Sequence, residues 1–333
     1  MHEYLSDRDI FIFGAGSLSK RLVDQFHDVL DSLNLIGVVD NHPALAGTLF
    51  FQKKVYTPEI LQQQQKDRVY ILVASSFYEE ICDQLRKLGF EEGRHFDDAI
   101  RVLAPIKYRG DRVFCVCCGN TFDRFMPFGD PVRLNAQCPF CLSLERQRLI
   151  WTYLKSNLNR NSDRPVKLLH VAPEPALTRL ITERKGIEYL SIDIDSKKAM
   201  MAMDLTDLSF DDDSYDIIIC SHVLEHIDDD RKALQELYRV LKAGGYAILQ
   251  VPIDKNRAVT YENREITAPE ERKKHFGQAD HVRQYGLDFG ERLEQAGFTV
   301  KIVTASEFTD NPERYGFNED GLYVCYKKAN ERK

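Results

Sequence analysis

The stretch LSFDDDSYDIIICSHVLEHI at residues 208–227, continued by ELYRVLKAGGYAILQVP at residues 236–252, decides how this chain folds. Within it, Tyr215–Cys220 reads as a short apolar strand and Tyr246–Val251 as another. Between them Asp228, Asp229 and Asp230 open a helix, because the amino end of a helix favours negative charge. The helix runs over Asp229–Leu241 and is expected to stop at Gly244-Gly245. Strand, helix, strand is the unit of an α/β fold.

The alternation continues on both sides. Further strands are expected at Val166–Val171, Tyr189–Ile192, Thr299–Val303 and Leu322–Tyr326, and helices around Ala176–Arg184 and Gly286–Ala296. Ligands of open α/β sheets bind outside the carboxyl ends of the strands. The second strand ends in Ile192-Asp193-Ile194-Asp195, so Asp193, with Asp195 as the alternative, is placed for ribose hydroxyls. Asp204, followed by Leu205, suits an adenine amino group.

In their order, Asp204 and the two opening blocks closely resemble class I S-adenosylmethionine (SAM)-dependent methyltransferases. The resemblance extends over about Cys115 to Tyr326. CPFCLSLERQRLIW (138–151), LLHVAPEPAL (168–177) and HFGQADHVRQYG (275–286) are similar to a bacterial methyltransferase subfamily with a cysteine-rich amino-terminal module. The resemblance implies a SAM site in residues 161–333, with Asp193 on the ribose, Asp204 and Leu205 on the adenine edge, and His222 nearby.

The first loop departs from the family pattern of an acid and three glycines. His170, Ala172, Glu174 and Ala176 stand there, with Pro173 and Pro175 between them. Glycine lets a backbone approach its ligand and visit positive φ, and two prolines remove that latitude. The loop is therefore expected to take another, pre-set shape, with His170 and Ala172 lining the methionine end. Glu174 is expected to receive the cofactor's ammonium.

Catalytic candidates follow strands four and five. His222, Glu225 and His226 sit just after strand four, and His275, His281 and Arg283 in the polar stretch Lys255–Tyr285, which is long enough to be a substrate cap. A histidine titrating near neutrality suits removal of a proton from the acceptor. Arg283 and Arg257 suit a phosphate or carboxylate. Each candidate has a structural counterpart: His226 packing or capping its helix, His281 in a structural hydrogen bond, Glu225 paired with an arginine.

Cys115-x-x-Cys118 and Cys138-x-x-Cys141, 19 residues apart, have the spacing of a four-thiolate structural Zn²⁺ site. Gly119 gives a tight turn after the first pair, Pro139 stiffens the second, and Cys117 is left free. An iron–sulfur cluster or unligated thiols are the alternatives. A closed site of this kind replaces the core that Lys107–Cys141 lacks. The helix Leu142–Leu158 and a polar linker, Asn157–Pro165, follow.

At the amino terminus, the apolar run Ile10–Phe13 is followed by Gly14-Ala15-Gly16-Ser17-Leu18-Ser19. A helical face (Leu18, Leu22, Val23, Phe26, Leu30), a strand at Leu35–Val39 and Asp40 come next. A strand at Val69–Ala74 and a helix at Tyr78–Leu88 complete a βαβ nucleotide-binding arrangement. Gly14, Gly16, Ser17 and Asp40 are its candidate contacts, although Ser19 stands where a third glycine is usual. IFGAGSLSKRLVDQF (12–26) and LIGVVDNHPALAGTLF (35–50) are similar to small Rossmann-like domains of sugar-modifying enzymes, such as the amino-terminal domain of bacterial UDP-sugar acetyltransferases. That implies a nucleotide or nucleotide-sugar ligand; a vestigial fold used for packing or dimerisation is the alternative.

The expected architecture is therefore α/β: two Rossmann-like doubly wound domains (1–104 and 161–333) joined by a zinc-ribbon-like module with its helix (105–160). A net charge of -7 and a pI near 5.8 argue against a nucleic-acid partner. No apolar run is long enough to span a membrane, so a cytoplasmic location is expected. The sequence carries no mark of a particular oligomeric state. The expected activity is SAM-dependent methylation of a small-molecule or sugar-linked acceptor, with surface polysaccharide synthesis implied only by the first domain's resemblance. Two other readings are a binding protein with a degenerate methyltransferase fold and a nucleotide-dependent oxidoreductase centred on Gly14 and Asp40. The latter lacks a Tyr-x-x-x-Lys set.

Overall fold

The computed structural model describes residues 2–158, 164–318 and 320–328. The chain divides into two compact units, Met1–Leu144 and Glu145–Lys333. Most of the linker expected at 157–165 lies outside the described residues.

The first unit begins with α1 (His2–Ser6), β1 (Asp9–Phe13), α2 (Ser17–Leu30), β2 (Asn34–Val39), β3 (Leu49–Phe50) and β4 (Lys53–Tyr56). It continues with β5 (Val69–Val73), α3 (Tyr78–Lys87), β6 (Phe96–Asp98) and α4 (Ala99–Lys107). The sheet order is β3-β4-β2-β1-β5-β6, parallel except for the β3–β4 hairpin. Strand β1 after Asp9 and all of β5 are buried because helices cover both faces. Ile10 and Ile12 pack with Leu22 and Phe26 of α2 and Leu103 of α4, whereas Phe11 and Phe13 pack with Ile81 and Leu85 of α3. The sheet has twice the three strands expected, since β3, β4 and β6 are too short for a periodic signal. Helix α4 buries Val102, Leu103 and Ala104 against the sheet.

The cysteine-rich segment follows within the same unit as two antiparallel ribbons. These are β7 (Arg109–Phe114) with β8 (Thr121–Phe122), and β9 (Met126–Phe128) with β10 (Arg133–Gln137).

The second unit starts with α5 (Glu145–Asn157), later than the expected Leu142; Leu142 itself is left-handed at φ 59. Then come β11 (Val166–Val171), α6 (Pro175–Thr182), β12 (Ile187–Asp193), β13 (Met201–Ala202), β14 (Tyr215–Ser221), α7 (Asp230–Val240) and β15 (Leu241–Gln250). The remainder is β16 (Tyr261–Glu262), α8 (Pro269–Phe276), β17 (Arg283–Gln284), α9 (Phe289–Gln295), β18 (Thr299–Val303) and β19 (Leu322–Tyr326). The seven-stranded sheet runs β13-β12-β11-β14-β15-β19-β18. Only β19 is antiparallel to its neighbours. The strand order reverses between β11 and β14, which creates the crevice where such sheets take ligands. On one face Leu169, Ile218, Cys220 and Leu249 pack against Leu234 and Leu237 of α7 and Phe289 and Leu293 of α9. Helix α7 stops at Val240 and the chain passes directly into β15, so the glycine pair, with Gly244 at φ 80, lies within the strand. No described helix is long and apolar enough to cross a membrane.

Three strands are left in the same way. After β1, β11 and β14, the next residue (Gly14, Ala172, His222) donates its N–H to the neighbouring strand end, at Val39 O, Ile192 O and Gln250 O, each at 2.8 Å. Each of the three then takes a positive φ: 115°, 46° and 57°. At Gly14 a Cβ would lie 2.6 Å from the Ala74 carbonyl oxygen. Gly14→Ala is therefore expected to destabilise the first unit by roughly 1–3 kcal/mol in urea unfolding, the scale of a strained backbone residue; an unchanged midpoint would refute the fit.

Candidate functional sites

The four predicted cysteines converge. Their sulfurs all lie within 4.8 Å of one another, with Cys115–Cys141 at 3.6 Å and Cys118–Cys138 at 3.8 Å. A tetrahedron with Zn–S bonds of about 2.3 Å has an edge of about 3.8 Å, so the donor set has the right size. Two backbone turns produce it. Gly119, at φ 75, donates to Cys115 O, and Phe140 N approaches Cys138 Sγ at 3.5 Å. Cys117 is buried outside the set of four. Four thiolates this close repel unless a cation sits among them.

The glycine turn of the first unit borders a cleft of about 660 Å³ lined by Gly14, Gly16, Ser17, Asp40, His42 and Ser75, among others. Asp40 accepts the backbone N–H of Ala15 at 2.7 Å and of His42 at 2.8 Å, so it braces the turn. Buried Ser19 replaces the third glycine functionally, donating to Gly14 O and Ala74 O at 2.6 and 2.8 Å and closing helix onto sheet. Nothing approaches within 4 Å of a Cβ placed on Gly16.

In the second unit, Asp193 closes β12 half-buried. Its Oδ1 accepts Asp195 N at 2.8 Å, and among the described residues Oδ2 has no hydrogen-bond partner. Asp204 is exposed, with Oδ1 holding the N–H and hydroxyl of Thr206, while Leu205 is buried beside it. The 170–176 loop differs from expectation in one respect: the prolines do not prevent a left-handed residue, because Ala172 supplies it and Pro175 merely starts α6. Glu174 Oε1 accepts from Arg146 and from Gln147 (2.7 Å), and its buried Oε2 has no partner among the described residues. His170 is fully buried, its Nδ1 3.2 Å from the Tyr189 hydroxyl, and burial pushes its imidazole down to about 4.

The predicted catalytic residues gather at the end of β14. His222 Nδ1 lies 3.3 Å from Glu225 Oε1, and His226 Nδ1 lies 3.3 Å from Asp280. Glu225 is 1% exposed, and neither carboxylate oxygen accepts a hydrogen bond among the described residues. Buried His281 places Nδ1 3.1 Å from Phe276 O and its ring 4.8 Å from that of His226. Burial lowers the His281 pKa. Arg283, expected to bind an anion, is 2% exposed and donates to the carbonyls of Leu224, Ile227 and Asp228 and to Glu262. Val282 N also donates to Glu225 O at 2.9 Å. Residues 281–283 are thereby docked onto 224–228. Arg257 is likewise engaged, with Gln284 and Asp254. The expected cap carries structure of its own, α8 and the β16–β17 ribbon.

Sequence reasoning missed the network behind this docking. Asp230, 3% exposed, accepts from the Tyr285 hydroxyl and from Arg292, both at 2.6 Å. Arg292 also holds Glu262 at 2.9 Å. Asp230 had looked like a helix-opening acid only, and its partners lie 55 and 62 residues away.

Residues 170–249 match the family model described as a methyltransferase domain. Residues 6–96 match a model described as C2185-like, N-terminal. Over 55 residues the chain is 44% identical to a demethylmenaquinone methyltransferase of Clavibacter sepedonicus, covering 16% of this chain and 22% of that protein. The chain thus spans about a fifth of the curated relative that it matches. Solved structures that part of the chain matches include a Haloferax volcanii putative methyltransferase complexed with the Trm112 activator. That match has 20% identity and TM-score 0.36, covering 54% of this chain and 90% of that one. A SAM-dependent methyltransferase from Archaeoglobus fulgidus matches at 16% identity and TM-score 0.35, over 54% and 92% of the two chains. The second unit is a mixed α/β fold whose residues 170–249 are similar to methyltransferase domains.

Two predictions follow from the geometry. Arg283→Met removes a buried cation and leaves carbonyls unsatisfied; it should cost roughly 3–5 kcal/mol in denaturant unfolding, and a cost below 1 kcal/mol would show that the docking is dispensable. His170 has a folded pKa below its unfolded value, so the unfolded chain binds more protons between about pH 6.5 and 4. Stability should fall by roughly 2–3 kcal/mol as the pH drops through that window, and His170→Leu should remove that part of the slope.

Proposed function

We propose that the second unit transfers a methyl group from SAM to a small-molecule acceptor, and that the four cysteines hold a structural zinc ion. The observation carrying the first reading is the placement of Glu174, Asp193 and His222 after β11, β12 and β14, three strands adjacent in the sheet at its reversal point. When bound, SAM supplies an electrophilic methyl group on a sulfonium. Asp193 accepts from ribose hydroxyls through its unpartnered oxygen, and Asp204 with Leu205 forms the adenine edge. Buried Glu174 Oε2, in need of a donor, receives the ammonium. His222, half-buried at the strand end, takes the proton that the acceptor gives up, and Glu225 beside it stabilises the resulting imidazolium. Arg283 acts as a positioning residue through its carbonyl contacts.

The zinc ion would supply the order that two short ribbons cannot generate alone. In the first unit, the cleft beside Gly14, Gly16 and Ser17 suits a nucleotide or nucleotide-sugar, with Asp40 shaping the turn. That favours a sugar-linked acceptor and a role in surface polysaccharide synthesis.

Calorimetric titration with S-adenosylhomocysteine tests the cofactor. Binding by the wild type and a loss of roughly 1–3 kcal/mol in Asp193→Ala are expected; no binding by the wild type would reject the enzyme reading. His222→Asn should lower kcat about 100-fold or more with a much smaller change in KM for SAM, and a normal kcat would remove His222 as the base. Elemental analysis should find about one zinc per chain, lost together with folding of the first unit in Cys138→Ser.

A further inference from the structure

The second unit contains a group of donors that shares Glu225 with the methyl-transfer residues. Glu225, His226 and His281 each offer an atom within 4.8 Å of the others. Three observations separate them from a chance cluster. Glu225 is buried, and neither of its oxygens accepts a hydrogen bond among the described residues, an expensive arrangement for a carboxylate unless a cation answers it. The His281 Nδ1 faces the Phe276 carbonyl, which only accepts, so Nδ1 carries the proton and Nε2 keeps its lone pair. The His226 Nδ1 faces the Asp280 carboxylate, which fixes the same tautomer. A carbonyl or carboxylate behind an imidazole is how proteins orient histidines that ligate metals.

The geometry points to a site for a divalent first-row transition ion held by Glu225, His226 and His281. One carboxylate and two imidazoles suit ions from manganese to zinc and leave coordination positions open. Buried Glu225 and His281 form the floor, while exposed His226 and half-buried His222 face solvent. The open positions therefore lie on the accessible side, at the carboxyl end of β14. There the ion would bind an acceptor hydroxyl and lower its pKa, which makes the acceptor an oxygen nucleophile. The ligand set stands by itself, and only this role for the ion rests on the methyltransferase reading. The competing account is that a protonated His222, 3.3 Å from Glu225, is the only compensating cation.

The test is a Co²⁺ titration of the full chain with its four-cysteine site already loaded with zinc. Visible d–d absorption is followed for the ion, and S-adenosylhomocysteine affinity is measured separately. One further equivalent of Co²⁺, without thiolate charge-transfer bands, is expected in the wild type and in His222→Gln. Glu225→Gln and His281→Gln should weaken it about 100-fold or more, and the Co²⁺-induced rise in Tm should disappear with it. Should either buried variant misfold, exposed His226→Gln reads the same loss. No Co²⁺ binding by the wild type, or undiminished binding by Glu225→Gln, overturns the site and leaves the His222 pair as the explanation. Cobalt binding without S-adenosylhomocysteine binding keeps the metal site and discards the methyltransferase reading; the converse does the opposite.

Discussion

The guanidinium of Arg283 is the contact on which the functional end of the second unit depends. An arginine cannot shed its charge, and this one is almost wholly buried, so its donors must be answered. Three carbonyls left over from the tight turn after β14, those of Leu224, Ile227 and Asp228, answer most of them, and Glu262 takes another. The exchange satisfies both partners: the turn loses its orphan acceptors and the excursion between β15 and α9 gains an anchor. His281 sits beside Glu225 because the residue between it and Arg283 is hydrogen-bonded to Glu225 O. Asp230, Arg292 and Tyr285 support this arrangement from below.

A second constraint recurs at the exits of the central strands. Gly14, Ala172 and His222 each extend the strand ladder by one hydrogen bond and then turn with positive φ. Glycine does this without strain, whereas alanine and histidine each store about 1–3 kcal/mol there. Both strained residues belong to the second unit and flank its reversal point, where a ligand would sit. Strain held at two neighbouring strand ends indicates that the turn shape is set before any ligand arrives.

The sequence made legible whatever depends on local spacing. The cysteine pairs, the apolar runs of β1, β5, β11, β14 and β15, and the acid at Asp193 were all visible, because their signals fall within a few residues. Strands of two or three residues, such as β13 and β6, carry no periodicity and became visible only through their neighbours. Arg283 was singled out for the right stretch and for a carboxylate or phosphate, whereas its contacts in the structure are three carbonyls and the Glu262 carboxylate, which no local spacing reveals. Likewise Asp40 showed its spacing from Gly16 but not that two backbone N–H groups occupy it. Ala172 had no signal at all, as nothing in an alanine announces a left-handed backbone.

The position of β19 bears on how this chain is made. Leu322–Tyr326 is the last strand among the described residues, yet it lies inside the sheet, between β15 and β18, with Leu322, Val324 and Cys325 fully buried. During translation, the backbone edges of β15 and β18 that pair with it therefore stay open until residue 326 has left the ribosome. The six-stranded sheet of the first unit, whose last strand ends at Asp98, can close long before that. Folding is thus ordered by synthesis: the amino-terminal sheet first, and the seven-stranded sheet only once the slot between β15 and β18 is filled.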